Sequence, residues 1–218
     1  LPELARALKG GLEREAANLQ NRSVEFVLFL TLPAAAALLV MSEPIVRLLY
    51  ERGNFHADST VTVGAILGLY GLGLPAFVLI KAFIPGFFAR EDTRTPMIFA
   101  GISVLVNVTL AITLFPKLSA LGIATAEIVA GWVNAGLLFF TLVKRGHWGS
   151  DKPLLKRIPR LVLSAGLMAV ALHYAIAFLG PQLASSAATA IKAATVAALV
   201  LAAMVIYFGV AFCIGGAD

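Results

Sequence analysis

Two ionisable side chains lie in long apolar stretches of the sequence, where a charge is costly. Lys81 follows directly on the apolar run 59–80, and Glu127 lies inside the run 120–143. Charged residues in such segments mostly face a protein interior or a wet cavity, and they often mark transport pathways. The alternatives are that Lys81 extends its long side chain to the lipid headgroups and that Glu127 is a protonated structural carboxyl group. Both residues are candidates for substrate binding or gating.

A dense group of charges, FFAREDTRTP at 87–96, separates two further apolar runs. Arg90, Asp92 and Arg94 are candidates for gating from this segment. Pro96 suits the first turn of a following helix, where its missing N–H costs nothing. The segment therefore predicts a tight turn between two membrane helices.

Polar groups and glycines in the apolar runs are better explained by helix packing. Asn107, Thr109 and Thr113 form a polar stripe, and such groups commonly join membrane helices. Asn107 is nevertheless kept as a candidate site residue. The glycines at 64, 68, 71 and 73 permit close helix approach.

The motifs of several enzyme classes are absent from the sequence. It contains no Walker phosphate loop, no HExxH, no GxSxG and no paired cysteines, since Cys213 is its single cysteine. The histidines His56, His147 and His173 are isolated. We therefore predict no catalytic residues, no metal site and no cofactor.

The composition is that of an integral membrane protein. The chain is 60% hydrophobic and 13% charged, with a mean hydropathy of +0.91, whereas soluble domains are about a quarter charged. The net charge is +5, which in a soluble protein would suggest nucleic acid. Here the basic residues lie mainly between the apolar runs, so membrane topology explains them and no nucleic-acid partner is expected.

The apolar runs predict an all-α membrane protein with six transmembrane helices. The predicted spans are 26–42, 59–88, 96–115, 120–143, 161–179 and 187–214. Residues 161–191 contain no Lys, Arg, Asp or Glu, and GPQLASS from Gly180 supplies the turn that divides this stretch. Residues 1–22 have the spacing of an amphipathic helix, which would lie on the membrane or serve as a connector.

The distribution of basic residues predicts the orientation. Most of the 17 lie on one predicted side, at Arg6, Lys9, Arg14, Arg22, Arg90, Arg94, Lys144, Arg145, Lys152, Lys156, Arg157 and Arg160, and the other side has Arg47, Arg52, Lys117 and Lys192. The positive-inside rule places the first set, and both chain ends, in the cytoplasm. Residues 1–22 are then a cytoplasmic connector, 23–146 a four-helix part, and 147–218 a basic loop followed by two helices.

Two long motifs resemble the MurJ/MviN family. They are TLPAAAALLVMSEPIVRLLYERGNF at 31–55 and KAFIPGFFAREDTRTP at 81–96. The resemblance implies a bacterial inner-membrane flippase that moves lipid II, with membrane lipids and cell-wall synthesis proteins as further partners. It also implies a partial bundle of the MOP/MATE type, namely the second lobe without its first two helices plus two extra C-terminal helices. A start at Leu rather than Met likewise predicts a piece of a longer chain.

The resemblance implies roles for particular residues. Lys81, Arg90, Asp92, Arg94 and Pro96 match one motif, and Glu43, Pro44, Arg52 and Gly53 match the other, which is predicted to be periplasmic. Many of these residues are expected to shape turns and gates. The last two predicted spans are expected to border a groove for the polyprenyl tail.

The resemblance leaves the coupling ion and the substrate open. Some family members bind sodium through acidic and amide groups, but here Asn107 has no carboxylate on its own span and only Glu127, on the next span, supplies a charge. The energy for transport could come from the membrane potential or from a gradient of a monovalent cation, and the sequence leaves both open. The alternatives for function are export of another polyprenyl-linked saccharide and a non-transporting membrane scaffold for cell-wall synthesis.

Overall fold

The computed structural model describes residues 2–149 and 152–216, and every regular element in them is an α-helix. The helices are α1 (Pro2–Lys9), α2 (Glu13–Tyr50), α3 (Ala57–Phe88), α4 (Arg94–Leu118), α5 (Ala120–Lys144), α6 (Lys152–Phe178), α7 (Gly180–Leu183) and α8 (Thr189–Cys213). The predicted all-α class is confirmed.

Six of these helices, α2 to α6 and α8, are long and apolar enough to cross a membrane. They correspond one to one with the six predicted spans, so the chain is a multi-pass membrane protein. Large apolar side chains such as Leu105, Phe140 and Phe178 are exposed on them. A helix that is apolar on all faces is stable only when lipid or protein covers it.

The N-terminal segment is not one continuous helix. α1 ends at Lys9, Gly11 adopts a φ of +72°, and α2 then runs unbroken from Glu13 to Tyr50. Only glycine adopts this left-handed conformation at little cost, so the glycine pair separates α1 from α2. The first predicted span thus lies within a helix that begins 13 residues earlier.

The described residues form two compact units. Unit 1 comprises Leu1–Thr31 and Gly73–Pro159, and unit 2 comprises Leu32–Leu72 and Arg160–Asp218. The chain passes between units within α2, α3 and α6, each time close to a proline: Pro33, Pro75 and Pro159. The division predicted from charge, at residues 22 and 146, describes membrane topology rather than packing and stays a prediction.

Glycines bring α2 and α3 together in unit 2. A Cβ added to Gly64 would lie 3.0 Å from Glu43 Cα, and one on Gly71 would lie 2.9 Å from the Ala35 carbonyl oxygen. A Cβ added to Gly68 would lie 3.2 Å from Ser42 Oγ. The packing interpretation of these glycines is confirmed.

Three aromatic rings pack against one another in unit 1, and Phe83 is the buried one. Phe83 of α3, Phe139 of α5 and Trp148 after α5 pack with ring centroids 5.6–5.7 Å apart. Tilted and edge-on arrangements at these distances are favourable for aromatic pairs. Ser103 of α4 donates a hydrogen bond to the Ala130 carbonyl of α5 at 2.9 Å, which joins the two helices of this hairpin.

Candidate functional site

Lys81 lies on an open groove within unit 1. The groove has a volume of about 380 Å³. Its polar lining residues are Glu3, Gln20, Ser23 and Lys81, and its apolar lining residues are Leu4, Leu19, Phe26, Val27, Val78, Ala82 and Pro85. The Lys81 side chain is exposed, and it shares the groove with other polar groups. Both interpretations of Lys81, a polar cavity and a side chain that reaches the lipid headgroups, stay predictions.

The turn between α3 and α4 is shaped by Glu91 and Asp92. Glu91 adopts a φ of +62°, which ends α3 in the left-handed conformation common after helices. The Asp92 carboxylate accepts a hydrogen bond from the Thr95 backbone N–H at 3.0 Å. It therefore satisfies one of the free N–H groups of the first turn of α4, as a capping residue does.

Arg145, at the end of α5, completes the environment of Asp92. It donates hydrogen bonds to the Asp92 carboxylate at 2.6 Å and to Thr95 Oγ1 at 3.1 Å. Its guanidinium carbon also lies 6.0 Å from the centroid of the Phe87 ring, within cation–π range. Hydrogen bonds from Thr95 and then from Arg145 lower the pKa of Asp92 to about 2. Asp92 is thus a charged structural anchor.

Arg90 belongs to the same end of unit 1. Its Nη1 donates a hydrogen bond to the Gly86 carbonyl at 2.9 Å, and its Nη2 lies 4.0 Å from the Glu13 carboxylate. Burial lowers the pKa of Arg90, and the charge of Glu13 counteracts this shift. Burial, followed by the charge of Arg90, also lowers the pKa of His147, which is therefore neutral at pH 7.

The remaining candidates of the first motif and of the polar stripe lie apart from this cluster. Arg94 is exposed on the first turn of α4. Asn107 on α4 and Glu127 on α5 are half-buried, and Glu127 interacts with a neighbouring group. Among residues 2–149 and 152–216, no three His, Cys, Asp or Glu side chains come together as a metal site would require. A cation site at Asn107 and Glu127 stays a prediction.

The second motif centres on Arg47, which sequence reasoning did not single out. Arg47 donates hydrogen bonds to Glu43 at 2.5 Å, to Glu51 at 3.2 Å and to the Leu183 carbonyl of α7 at 3.1 Å. The spacing of Glu43, Arg47 and Glu51, four residues apart in each case, was the signal that could have revealed this cluster.

Glu51 is the most enclosed carboxylate of the Arg47 cluster, with 9% of its side chain exposed. Thr60 donates a hydrogen bond to it at 2.7 Å. Burial acts to raise the pKa of Glu51, but hydrogen bonds from Ser185, Thr60 and Arg47 together hold that pKa below its usual value. The cluster therefore joins the end of α2 to α3 and to the segment after α7.

The other residues of the second motif shape the chain around this cluster. Pro44 is buried inside α2. Arg52 is exposed and donates to the Leu49 carbonyl, and Gly53 adopts a φ of +59°, so these two residues form the turn that follows α2. The candidate residues of each motif lie within a single unit, with Lys81, Arg90 and Asp92 in unit 1 and Glu43, Pro44, Arg52 and Gly53 in unit 2.

Unit 2 also contains a buried lysine that the sequence pattern does not predict. Lys192 of α8 is only 6% exposed, and its Nζ donates a hydrogen bond to the Ser185 carbonyl at 3.0 Å. The sequence indicates only that this charge lies at the start of the last predicted span. Its role here is to hold the segment before α8 against that helix.

Comparisons with known proteins agree on one family. Residues 1–194 match the family model described as "Lipid II flippase MurJ". The chain is 75% identical over 218 residues to a "Probable lipid II flippase MurJ" of Rhizobium meliloti, covering all of this chain and 41% of that protein. It is 54% identical, with the same coverage, to a protein of that description from Rhizobium tropici.

A solved structure shows the same fold. It is described as "Lipid II flippase MurJ, inward closed conformation", and it matches 95% of this chain with a TM-score of 0.72 and 25% sequence identity. The match covers 40% of the solved chain. The chain therefore spans about two fifths of the length of the proteins that it matches.

Proposed function

The chain belongs to the lipid II flippase MurJ family, and on that premise we propose that it works as the C-terminal part of a transporter that moves lipid II across the bacterial inner membrane. The observation that carries this proposal is the family match over residues 1–194, together with the six helices able to span a membrane. The relatives are named as flippases.

The physical problem that such a transporter solves is the transfer of a charged head through hydrocarbon. A lipid-linked diphosphate saccharide cannot cross unaided, because exposing a charge in the bilayer core is costly. A polar cavity can shelter the head while the polyprenyl tail stays in lipid. Alternating access to such a cavity, by rocking of two helical lobes, would move the head between leaflets.

The energy for this cycle need not come from ATP. A membrane potential acts on each charge that crosses with about 2.3 kcal/mol per 100 mV. We propose that the potential or a monovalent cation gradient biases the cycle. Asn107 and Glu127 are the candidates for contact with a cation.

The residues of the two motifs are proposed to act in gating. Lys81 exposes an ammonium group in the groove of unit 1, where an anionic head could contact it. Arg90 and Asp92 hold the α3–α4 turn, and Arg94 is exposed beside it. We place this turn in the cytoplasm and the Arg47 cluster in the periplasm, following the distribution of basic residues.

Reconstitution tests the proposed activity. The complete flippase containing this chain is placed in liposomes with fluorescent lipid II, and the fraction of label reached by a membrane-impermeant quencher is followed over time. We expect the complete protein to increase that fraction beyond the outer-leaflet share. Protein-free liposomes are the control for leakage and spontaneous flipping.

Two further samples separate the alternatives. A different polyprenyl-linked saccharide in place of lipid II tests substrate choice, and its exclusive transport would support the other exporter. The 218-residue chain alone should not transport, because it spans 41% of its relative's length. Transport by this chain alone would contradict the proposal that it is only part of the machine. Failure of the complete protein with every substrate would favour the scaffold alternative.

A further inference from the structure

An apolar pocket in unit 1 lies between four of the helices. It has a volume of about 280 Å³, close to the lower end of the range for small-ligand sites, about 300 Å³. Its lining comes from α2, α3, α5 and α6 and from Trp148, and every lining residue is hydrophobic or glycine. Val24 and Phe83 are buried in its walls. Trp132 and Leu155, which also line it, are 46% and 61% exposed, so the pocket is a cleft that opens at the protein surface.

The cleft extends along the helices. On α5 its lining runs from Trp132 to Phe139, a length of about 10 Å along the helix. α3 and α5 are both long and apolar enough to cross a membrane, so this part of the cleft lies at the depth of the hydrocarbon. A narrow apolar cleft in this direction suits an extended acyl chain.

An ion pair lies beside the cleft. Arg157 of α6 donates a hydrogen bond from Nη1 to Glu25 Oε1 of α2 at 2.7 Å. Each of the two residues directly neighbours a lining residue in the sequence, Val24 on α2 and Ile158 on α6, so the pair bridges the two helices at the cleft. Both residues precede the predicted apolar span of their helix, which is the level of lipid head groups.

Both members of the pair are accessible to a ligand. The side chains of Arg157 and Glu25 are 26% and 20% exposed. A guanidinium has several N–H donors and a carboxylate accepts at several positions, so each can keep this contact and bind a second group. A head group that contains both a phosphate and an ammonium pairs with the cation and the anion at once. A head group with negative charge alone would meet repulsion from Glu25.

The wall formed by Trp148 is held in place by the protein itself. Asn21 of α2 donates a hydrogen bond from Nδ2 to the Gly149 carbonyl at 2.6 Å. The Trp148 ring packs edge-on against Phe83 and Phe139. This wall is thus already formed without a ligand, which lowers the ordering cost of binding.

We propose that this cleft binds a phospholipid of the surrounding membrane whose head group is zwitterionic and bears an ammonium, as in phosphatidylethanolamine. One acyl chain lies in the cleft, Arg157 donates to the phosphodiester, and Glu25 accepts from the ammonium. The ion pair favours this lipid over a polyprenyl diphosphate, which offers Glu25 no cation. The site lies wholly within unit 1, and it does not depend on which molecule the complete protein transports.

Filling the cleft tests the proposal. A Cβ added to the lining residue Gly136 meets only Phe140 Cε2, at 3.9 Å, so Gly136→Leu can place its side chain in the cleft. The matched control is Gly101→Leu, the same change on α4 at a position with no atom within 4 Å. The complete protein is studied in detergent by native mass spectrometry with added dioctanoyl-phosphatidylethanolamine. Wild type and Gly101→Leu should retain one more lipid molecule than Gly136→Leu, and equal retention by all three would overturn the proposal.

Two other lipids with the same chains test the head group. Wild type should bind the phosphatidylethanolamine about fivefold more tightly than dioctanoyl-phosphatidylglycerol, which lacks the ammonium. Glu25→Gln should remove this preference, whereas Glu15→Gln, at an exposed position of the same helix, should keep it. A wild-type preference for phosphatidylglycerol would overturn the role of Glu25. Dioctanoylglycerol has no phosphate and should bind most weakly, and binding equal to that of the phospholipid would overturn the role of the ion pair.

A polyprenyl diphosphate is the other source of a long hydrocarbon chain. When it is added together with the phosphatidylethanolamine, it should not displace that lipid from wild type. Displacement at equal concentration would assign the cleft to a polyprenyl tail and overturn the proposal.

Thermal unfolding guards against a variant that merely fails to fold. Without lipid, Gly136→Leu should unfold at or above the wild-type temperature, because leucine favours the helical conformation more than glycine does. Added phosphatidylethanolamine should raise the unfolding temperatures of wild type and Gly101→Leu but not that of Gly136→Leu. An equal rise in all three proteins would contradict a lipid site in this cleft.

Discussion

Arg145 donates a hydrogen bond to Asp92 at 2.6 Å across 53 residues of sequence, and this contact joins the end of α5 to the turn between α3 and α4. The Asp92 side chain is 24% exposed and that of Arg145 is 42% exposed, so water screens the pair in part. Asp92 also caps α4 through Thr95. The charges of this turn thus have a structural role in unit 1 besides the gating role that we propose.

The Asp92 carboxylate should make the stability of the protein depend on pH in the acid range. Its pKa is lowered from 3.8 to about 2 in the folded state. The stabilisation that the ionised Asp92 carboxylate adds to the folded state is therefore fully present above about pH 4, and it is lost as the pH falls towards 2. We expect Asp92→Asn to destabilise the protein by about 0.5–1 kcal/mol at pH 7, because asparagine can still cap the helix but loses the charge that pairs with Arg145, and we expect a smaller difference from wild type at pH 2.5.

Thermal unfolding in detergent, followed by circular dichroism at both pH values, checks this prediction. Glu91→Gln is the control, because it removes a carboxylate from an exposed position in the same turn. If Asp92→Asn differed from wild type by the same amount at both pH values, the proposed titration of Asp92 would be wrong.

Arg47 should be the most sensitive position of the second motif. Replacing it with alanine removes the partner of Glu43, Glu51 and the Leu183 carbonyl at once. Because Glu51 is largely buried, we expect Arg47→Ala to destabilise the protein by about 1–3 kcal/mol. Arg47→Lys should recover only part of this loss, since an ammonium does not reproduce the planar guanidinium fork.

Arg52→Ala provides the comparison for Arg47→Ala. Arg52 is exposed and bonds to the Leu49 carbonyl, so its loss should change the stability by no more than about 0.5 kcal/mol. Denaturant unfolding of the three variants measures these differences. Similar losses for Arg47→Ala and Arg52→Ala would show that the cluster contributes little.

The fold could be predicted because the membrane constrains it strongly. Each span must satisfy its own backbone and present apolar side chains, so runs of apolar residues identified α2 to α6 and α8. The apolar runs do not predict the full lengths of the helices, because α2 already begins at Glu13, in a polar segment before its apolar run. Polar helix formers extend a helix into water without leaving an apolar signal.

The candidate site could be predicted only where the contacts are local. The capping role of Asp92 depends on Thr95, three residues away, and the Arg47 cluster could have been recognised from its spacing. The contact of Asp92 with Arg145 and the groove shared by Gln20 and Lys81 depend on how helices pack. No periodicity in the sequence encodes these long-range pairs.

Lys81 should be required for the work of the complete protein. Because its ammonium is exposed in a groove with other polar groups, we expect Lys81→Ala to fail to support growth of cells that lack their own flippase. Lys81→Arg should retain part of the function, since it keeps the charge. Growth is compared at equal membrane levels of each variant, measured by immunoblot.

Lys117→Ala is the control for Lys81→Ala, because it removes an exposed lysine near the end of α4. We expect this variant to grow as wild type does. Normal growth of Lys81→Ala at a normal membrane level would instead indicate that the ammonium only anchors α3 at the lipid headgroups.

The close packing of α2 and α3 should make Gly71 intolerant of even one methyl group. A Cβ there would lie 2.9 Å from the Ala35 carbonyl oxygen and 3.1 Å from Leu38 Cβ, and a backbone oxygen cannot move aside as a side chain can. We expect Gly71→Ala to destabilise the protein by about 1–3 kcal/mol.

Gly101→Ala in α4 is the control, because a Cβ added at Gly101 has no atom within 4 Å. This variant should be neutral or stabilising by up to about 1 kcal/mol, because alanine favours the helical conformation more than glycine does. Denaturant unfolding of both variants in one detergent makes the comparison, and equal stabilities would mean that α2 and α3 are not held together by this contact.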